Sequence, residues 1–237
     1  MIGHIHSICS MSTKDGPGIR TVIFMQGCPL RCFYCHNPDT WQPHKGEQIT
    51  PTELIDRISR FFPFFGKDGG ITFSGGEPLM QPDFLFETLS LLKQKGIHTA
   101  IDTASAIPES MVAKATNMAD LVMLDIKMND EENYKLHTGG DLSVALDYLR
   151  FLDKANKRVW IRQVIVPKIN DRAEDILRLY KLVSPFSCVE RIELLPFRTL
   201  CKEKYDALGM TFPLEDTPEM TESEIESLIA LLPERYR

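Results

Sequence analysis

The chain has 237 residues, 43% of them hydrophobic and 25% charged, with a formal net charge of -6. That length predicts one domain with a large core, over residues 1–237, and no apolar run approaches the ~20 residues that cross a bilayer. The acidic balance argues against a broad basic face for nucleic acid, and MIGHIHSICSMSTKDG has neither the basic start nor the continuous apolar stretch of a secretory leader, so a soluble, cytoplasmic protein is expected.

Along the chain, short apolar runs alternate with longer amphipathic ones. Near-continuous Val, Ile, Leu and Phe predict buried parallel strands over 21–26, 71–74, 99–102, 121–125, 159–166 and 191–195. Helices are predicted over 52–62, where Leu54, Ile58 and Phe62 share a face, and over 82–95, 109–116, 143–155, 172–182 and 221–232. Thr50 and Pro51, Gln81 and Pro82, and Gly96 punctuate these helices as caps. The βαβα order predicts an α/β fold, either a doubly wound open sheet or a barrel with fewer than eight βα units. In both, the working residues belong at strand ends. Cys28, Cys32 and Cys35 follow the first predicted strand, Ser74-Gly75-Gly76-Glu77 ends the second, Asp102-Thr103 the third and Asp125-Ile126-Lys127 the fourth.

Of six cysteines, Cys28, Cys32 and Cys35 crowd onto one loop in a CxxxCxxC spacing, Cys9 precedes the first predicted strand, and Cys188 and Cys201 lie far downstream. Three soft thiolates suit zinc or an iron–sulfur cluster. A cluster that only carries electrons takes four cysteines, so three would leave one iron of a [4Fe–4S] cluster open to a small molecule. Three other readings stand beside this one. A zinc knuckle could add His36, although adjacent ligands fit one tetrahedral ion poorly. Cys32-Phe-Tyr-Cys35-His36 matches a haem attachment pattern. Buried core cysteines are the third, against which the polar, turn-rich loop Pro29, Arg31, His36, Asn37, Pro38 speaks.

CxxxCxxC with Tyr34 before its last cysteine resembles the signature of the radical S-adenosylmethionine enzymes. With Asp15-Gly-Pro-Gly-Ile-Arg20, Tyr34-Cys35-His36-Asn37, Ser74–Glu77, Asp102-Thr103, residues 122–127, Val159-Trp-Ile-Arg162 and Glu193-Leu-Leu-Pro196, the likeness extends over about residues 1–200 to the activating enzymes of glycyl radical enzymes. The resemblance implies a partial (β/α)6 barrel. It implies a [4Fe–4S] cluster on Cys28, Cys32 and Cys35, whose open iron chelates the methionine part of S-adenosylmethionine. It implies a 5′-deoxyadenosyl radical that takes a hydrogen atom from a glycine of a partner enzyme. Tyr34, Ser74, Gly75, Gly76, Glu77, Asp125, Lys127 and Arg198 fall on the cofactor side, and Asp102, Thr103 and Met123 beside a monovalent cation. Asp15 and Arg162 are expected on the partner side. A flavodoxin- or ferredoxin-like protein would supply the electron.

Two departures stand out. Phe197-Arg198-Thr199-Leu200-Cys201 follows Pro196 where relatives carry a Tyr-His pair and a glycine, and Ala104-Ser105 replaces a glycine-containing pair. No cysteine-rich segment separates Cys35 from Ser74, which favours pyruvate formate-lyase (formate C-acetyltransferase) as the partner over the hydratases and decarboxylases. Activation of another glycyl radical enzyme, radical chemistry on a small molecule and a zinc-stabilised interaction domain are the alternatives.

Overall fold

The computed structural model describes residues 1–237 and is an α/β protein. Its contacts divide the chain into two compact units, residues 1–29 with 40–123, and residues 30–39 with 124–237. In the first unit lie strands β1 (Gly3–Ser12), β2 (Arg20–Met25), β3 (Glu47–Ile49), β4 (Gly70–Gly75) and β5 (His98–Thr103), and helices α1 (Pro51–Ile58), α2 (Pro82–Gln94) and α3 (Glu109–Met118). Strand β6 (Leu121–Asp125) begins in it. The second unit takes the end of β6, then α4 (Glu131–Thr138), α5 (Leu142–Lys154), β7 (Arg158–Ile165), α6 (Ala173–Val183), β8 (Val189–Pro196), α7 (Lys202–Ala207) and α8 (Glu222–Ile229).

In the first unit the strand order is β3-β1-β2-β4-β5, with the start of β6 beyond β5. β2, β4 and β5 run parallel, Val22 opposite Thr72 and Thr72 opposite Ala100. In the second, β7 and β8 are parallel, and Arg162 faces Glu193 directly. All six predicted strands are present, and the long predicted helices are found within a few residues.

The structure corrects the count and direction of strands. β1 and β3 were not expected, and β1 runs antiparallel to both β2 and β3, so Cys9 sits on a strand rather than before one. β1 buries only Gly3 and Ile5 fully, and a half-exposed antiparallel strand shows no continuous apolar run. The helix expected over 52–62 ends at Ile58 and continues as a 3-10 turn over Ser59–Phe64, because Pro63 lacks the N–H that an α-helix needs there. Its start is as expected. Thr50 and Glu53 form a reciprocal capping box ahead of Pro51, an arrangement worth about 1 kcal/mol. Gly96, at φ +68°, ends α2 in the left-handed conformation that glycine adopts without strain.

Candidate functional site

In the first unit, the ends of the parallel strands are tied to one another through their backbones. Gly27 N–H donates to the Thr40 carbonyl at 2.7 Å and Cys28 N–H to that of Trp41 at 3.4 Å, which fixes the entry to the cysteine loop. The loop after β4 is drawn against the same place: Gly76 N–H donates to Met25 O at 3.0 Å and Glu77 N–H to Gly27 O at 2.7 Å. A Cβ on Gly76 would lie 2.3 Å from Gly27 O, and Gly75 holds φ +101°. Close backbone approach therefore requires these two glycines whatever else they do.

Ser74 donates to Asp102 Oδ2 at 2.7 Å, joining the ends of β4 and β5. The Glu77 carboxylate is buried and accepts from Leu79 N–H at 3.0 Å, Thr103 Oγ1 at 2.6 Å and Ala104 N–H at 3.1 Å. Met123, also expected in this group, is fully buried on β6. Asp15 is placed by different partners. Ser12 donates to its carboxylate, and Thr72 donates to its carbonyl at 2.6 Å. Arg20, wholly buried, holds that loop from beneath by donating to Thr72 Oγ1 at 2.6 Å, Ile71 O at 2.6 Å and Pro17 O at 3.1 Å. Burial lowers the Arg20 pKa to about 10, with Asp15 and Asp120 acting in the opposite sense.

In the second unit, residues 30–39 carry Cys32 and Cys35. Arg31 and Phe33 donate their N–H groups to the Thr138 and His137 carbonyls at 2.8 and 3.0 Å, so the C-terminal end of α4 finds in this loop the donors it lacks. Asn37 N–H donates to Cys35 Sγ at 3.4 Å. Burial pushes the Cys32 thiol up to about 12 against the pull of the Lys127 cation. Beneath the loop, Lys127 Nζ is 2.6 Å from Asp125 Oδ2 and 5.9 Å from the centre of the Tyr34 ring, whose hydroxyl lies 3.5 Å from Lys127 O. Asp125 and Lys127 thus share a face, as alternation along an extended segment implied, and their side chains are only 17% and 15% exposed. Burial works against the Lys127 charge, but Asp125, Tyr34 and Cys32 outweigh it and hold its pKa well above the ordinary lysine value.

The same segment is gripped by β7. Ile126 N–H donates to Arg162 O at 2.9 Å, and buried Gln163 donates to Ile126 O at 2.8 Å and to Asn129 Oδ1 at 2.9 Å. Gln163 was not foreseen as a site residue; an amide in an otherwise apolar run was its only signal. Arg162, nearly buried, places Nε 3.2 Å from Glu193 Oε2. Arg198 directs its guanidinium to Met220 O and toward Glu219, while its own carbonyl accepts from His36 Nε2 at 2.9 Å. Burial lowers the His36 pKa, while the Arg198 carbonyl acts in the opposite sense.

The sequence matches the family model for the radical SAM superfamily over residues 22–180. It is 45% identical over 235 residues to a pyruvate formate-lyase-activating enzyme of Clostridium pasteurianum, covering 99% of this chain and 98% of the relative. It is 40% identical to the enzyme of that name from Streptococcus mutans, covering 97% and 90%. Among solved structures, it resembles a domain of pyruvate-formate lyase-activating enzyme from Bacteroides vulgatus, with TM-score 0.57, 24% identity, and coverage of 69% of this chain and 92% of that one. Methylornithine synthase superposes with TM-score 0.66 at 16% identity, covering 92% and 63%. These likenesses in structure establish the fold class as the α/β partial barrel of the radical SAM type. In the second unit, the chemistry of Cys32 and Cys35 fits thiolate ligands of the cluster of that superfamily: they share one turn-rich loop, and an N–H is directed at the Cys35 sulfur, a contact suited to a cluster-bound thiolate.

Proposed function

The chain belongs to the radical SAM superfamily, among activating enzymes of glycyl radical enzymes that use a [4Fe–4S] cluster and S-adenosylmethionine, and from that premise we propose that its partner is pyruvate formate-lyase. The observation that carries this is the 45% identity spanning almost the whole of both chains with an activating enzyme of that specificity. When bound, the reduced cluster and S-adenosylmethionine supply the 5′-deoxyadenosyl radical that removes a hydrogen atom from the partner's glycine.

The chain's own residues bind, orient and exclude water. Cys28, Cys32 and Cys35 are the cluster ligands, and each must lose its proton to bind iron. Lys127 and Asp125, pre-paired in a nearly dry setting, suit the carboxylate and amino groups of a zwitterion. Ser74, Gly75 and Gly76 offer backbone to the methionine amino group, with Glu77 fixing their loop, and Tyr34 and Arg198 complete the cofactor side. Asp102, Thr103 and the Met123 carbonyl are assigned to a monovalent cation. Asp15 and Arg162 serve the partner side, where a glycine, lacking a side chain, can approach to the ~3–4 Å that hydrogen transfer needs.

Residues 1–237 act as one functional domain, a reading supported by a family match that includes parts of both units. A flavodoxin- or ferredoxin-like donor, a cytoplasmic setting, and no membrane or nucleic-acid partner belong to the same proposal. The acidic charge balance supports the part that concerns nucleic acid. The test is anaerobic reconstitution with iron and sulfide, followed by incubation with S-adenosylmethionine, reductant and pyruvate formate-lyase. A glycyl radical signal in electron paramagnetic resonance is expected. Cofactor cleavage with no radical on the lyase would point to another glycyl radical partner, and a chain that takes zinc but no iron would overturn the reading.

A further inference from the structure

The segment that follows β8, residues 197–205, makes contacts that the cofactor reading does not use. After β8 the chain turns into α7, six residues long and too short to be stable alone. It is held by Tyr205, 1% exposed, whose ring lies 5.0 Å from that of Phe212, and by buried Cys201 at its start. From this anchored position three polar groups reach the second half of the cysteine loop. Tyr205 donates its hydroxyl hydrogen to the Cys35 carbonyl at 3.2 Å. Lys204 Nζ donates to Asn37 Oδ1 at 2.8 Å and lies 3.4 Å from Asp39 Oδ2. The Arg198 carbonyl accepts from His36 at 2.9 Å. Four of the five residues from 35 to 39 are thereby gripped, including one expected ligand, while α4 holds Arg31 and Phe33 on the other half.

We propose that α7 is a clamp for the cluster loop, in which Tyr205 and Lys204 are positioning residues that set Cys35 to Asp39 in the ligating conformation before any iron arrives. The idea rests on the cysteines being cluster ligands. Fixing a residue's backbone costs conformational entropy, so an unheld loop would lose much of its binding free energy in becoming ordered. A loop ordered beforehand does not. The chosen side chains suit the task. Tyrosine reaches a carbonyl from a rigid, buried ring, and lysine brings a cation to two acceptors that lie two residues apart. Tyr205 holds the Cys35 carbonyl and Lys204 the Asn37 and Asp39 side chains, which makes them positioning residues and not ligands.

The test uses the full-length, metal-free chain. Amide hydrogen exchange over residues 32–40 is compared in wild type, Tyr205→Phe, Lys204→Met and the double variant, followed by the rate and extent of iron uptake during anaerobic reconstitution. Exchange at 35–39 should quicken at least tenfold in the double variant and less in each single one, with exchange over β7 unchanged. Iron uptake should slow several-fold, and Lys204→Arg should restore both measures toward wild type. Unchanged exchange at 35–39 in the double variant would overturn the clamp. If Tyr205→Phe instead loosens the whole unit, Lys204→Met decides, since its side chain is partly exposed and dispensable for packing: quickening confined to 37–39 supports the proposal, and none refutes it. Failure of the wild type to take up iron would refute the cluster assignment, while the exchange data would still report on the clamp.

Discussion

Thr103 donates its hydroxyl hydrogen to buried Glu77 at 2.6 Å, so the loops after β4 and β5 are joined by a carboxylate that also accepts from the N–H groups of Leu79 and Ala104. Glu77 was read from the sequence as a cofactor residue, and its geometry shows a second duty, as the fastener of the loop that would carry the cofactor. Glu77→Ala should destabilise the chain by about 3–5 kcal/mol, because several buried donors lose one acceptor. Thr103→Val should cost about 1–3 kcal/mol in the wild type and much less in Glu77→Ala. Urea unfolding of the four variants measures the coupling, and strictly additive losses would show that the two residues act independently.

Ser105 is buried, left-handed at φ +49°, and its Oγ has no hydrogen-bond partner, while its N–H donates to Thr103 Oγ1 at 2.8 Å. This is where relatives carry a glycine-containing pair. The left-handed conformation costs a side-chain-bearing residue about 1–2 kcal/mol, more than the ~0.5–1 kcal/mol that glycine's extra chain entropy costs. Ser105→Gly should therefore raise the melting temperature, and Ser105→Val should lower it. A fall with glycine would mean that the hydroxyl has a partner that outweighs the strain.

The Asp125–Lys127 pair yields a prediction about pH. Lys127's pKa is raised above the ordinary lysine value, so the stability that the pair contributes is fully present below about 10.4 and is lost only as pH rises through the higher folded value. The cost of Lys127→Ala to stability should accordingly stay flat from about pH 6 to about pH 9. The variant should bind S-adenosylmethionine more weakly yet keep its iron, whereas replacement of Cys28, Cys32 or Cys35 by alanine should abolish iron binding. Loss of iron in Lys127→Ala, with unchanged cofactor affinity in whatever holoprotein remains, would remove Lys127 from the cofactor side.

What was legible in the sequence follows from which forces act locally. β6 was read with its observed bounds, because a strand buried on both faces is apolar at every position, as Leu121-Val-Met-Leu is. β1 escaped because its pattern, Gly-His-Ile-His-Ser-Ile-Cys-Ser-Met-Ser, mixes polar residues into a half-exposed antiparallel strand. α4 escaped too: it buries only Tyr134 and Thr138, and its identity lies in an Asp130 N-cap and a Gly139 C-cap. In the site, the cysteine spacing was local and readable. The grip of Tyr205 and Lys204 was not, since it joins residues 170 and 167 positions apart through geometry that no periodicity records.

Arg20 closes the Asp15-Gly-Pro-Gly turn from below. Its three donors point to Thr72, Ile71 and Pro17, in directions that a lysine ammonium cannot match from one atom. Arg20→Lys should cost about 2–4 kcal/mol through lost buried hydrogen bonds. If Asp15 meets the partner, the variant should also make less glycyl radical at unchanged affinity for S-adenosylmethionine. Wild-type stability in Arg20→Lys would show that the turn holds itself.

Arg162 carries the sharpest test of how the partner is met. It faces Glu193 across β7 and β8, with Nε 3.2 Å from Oε2 and its side chain only 7% exposed. Arg191 shares the carboxylate, Nε to Oε1 at 3.5 Å. Breaking a buried pair by removing one member leaves the other charge uncompensated, at about 3–5 kcal/mol where burial is deep. Glu193 is 19% exposed and keeps Arg191, so Arg162→Ala should cost well under that and still yield folded protein. The planar guanidinium can bind Glu193 through one edge and present another to a backbone carbonyl of an incoming glycine loop, which a point-charge lysine does less well. Arg162→Lys and Arg162→Ala should both retain iron and bind S-adenosylmethionine nearly as wild type, while forming at least tenfold less glycyl radical on the whole partner or on a glycine-loop peptide. The radical is quantified by electron paramagnetic resonance beside the cofactor affinity. Equal losses in both measures would move Arg162 to the cofactor side, and full activation by Arg162→Ala would leave it a structural partner of Glu193 alone.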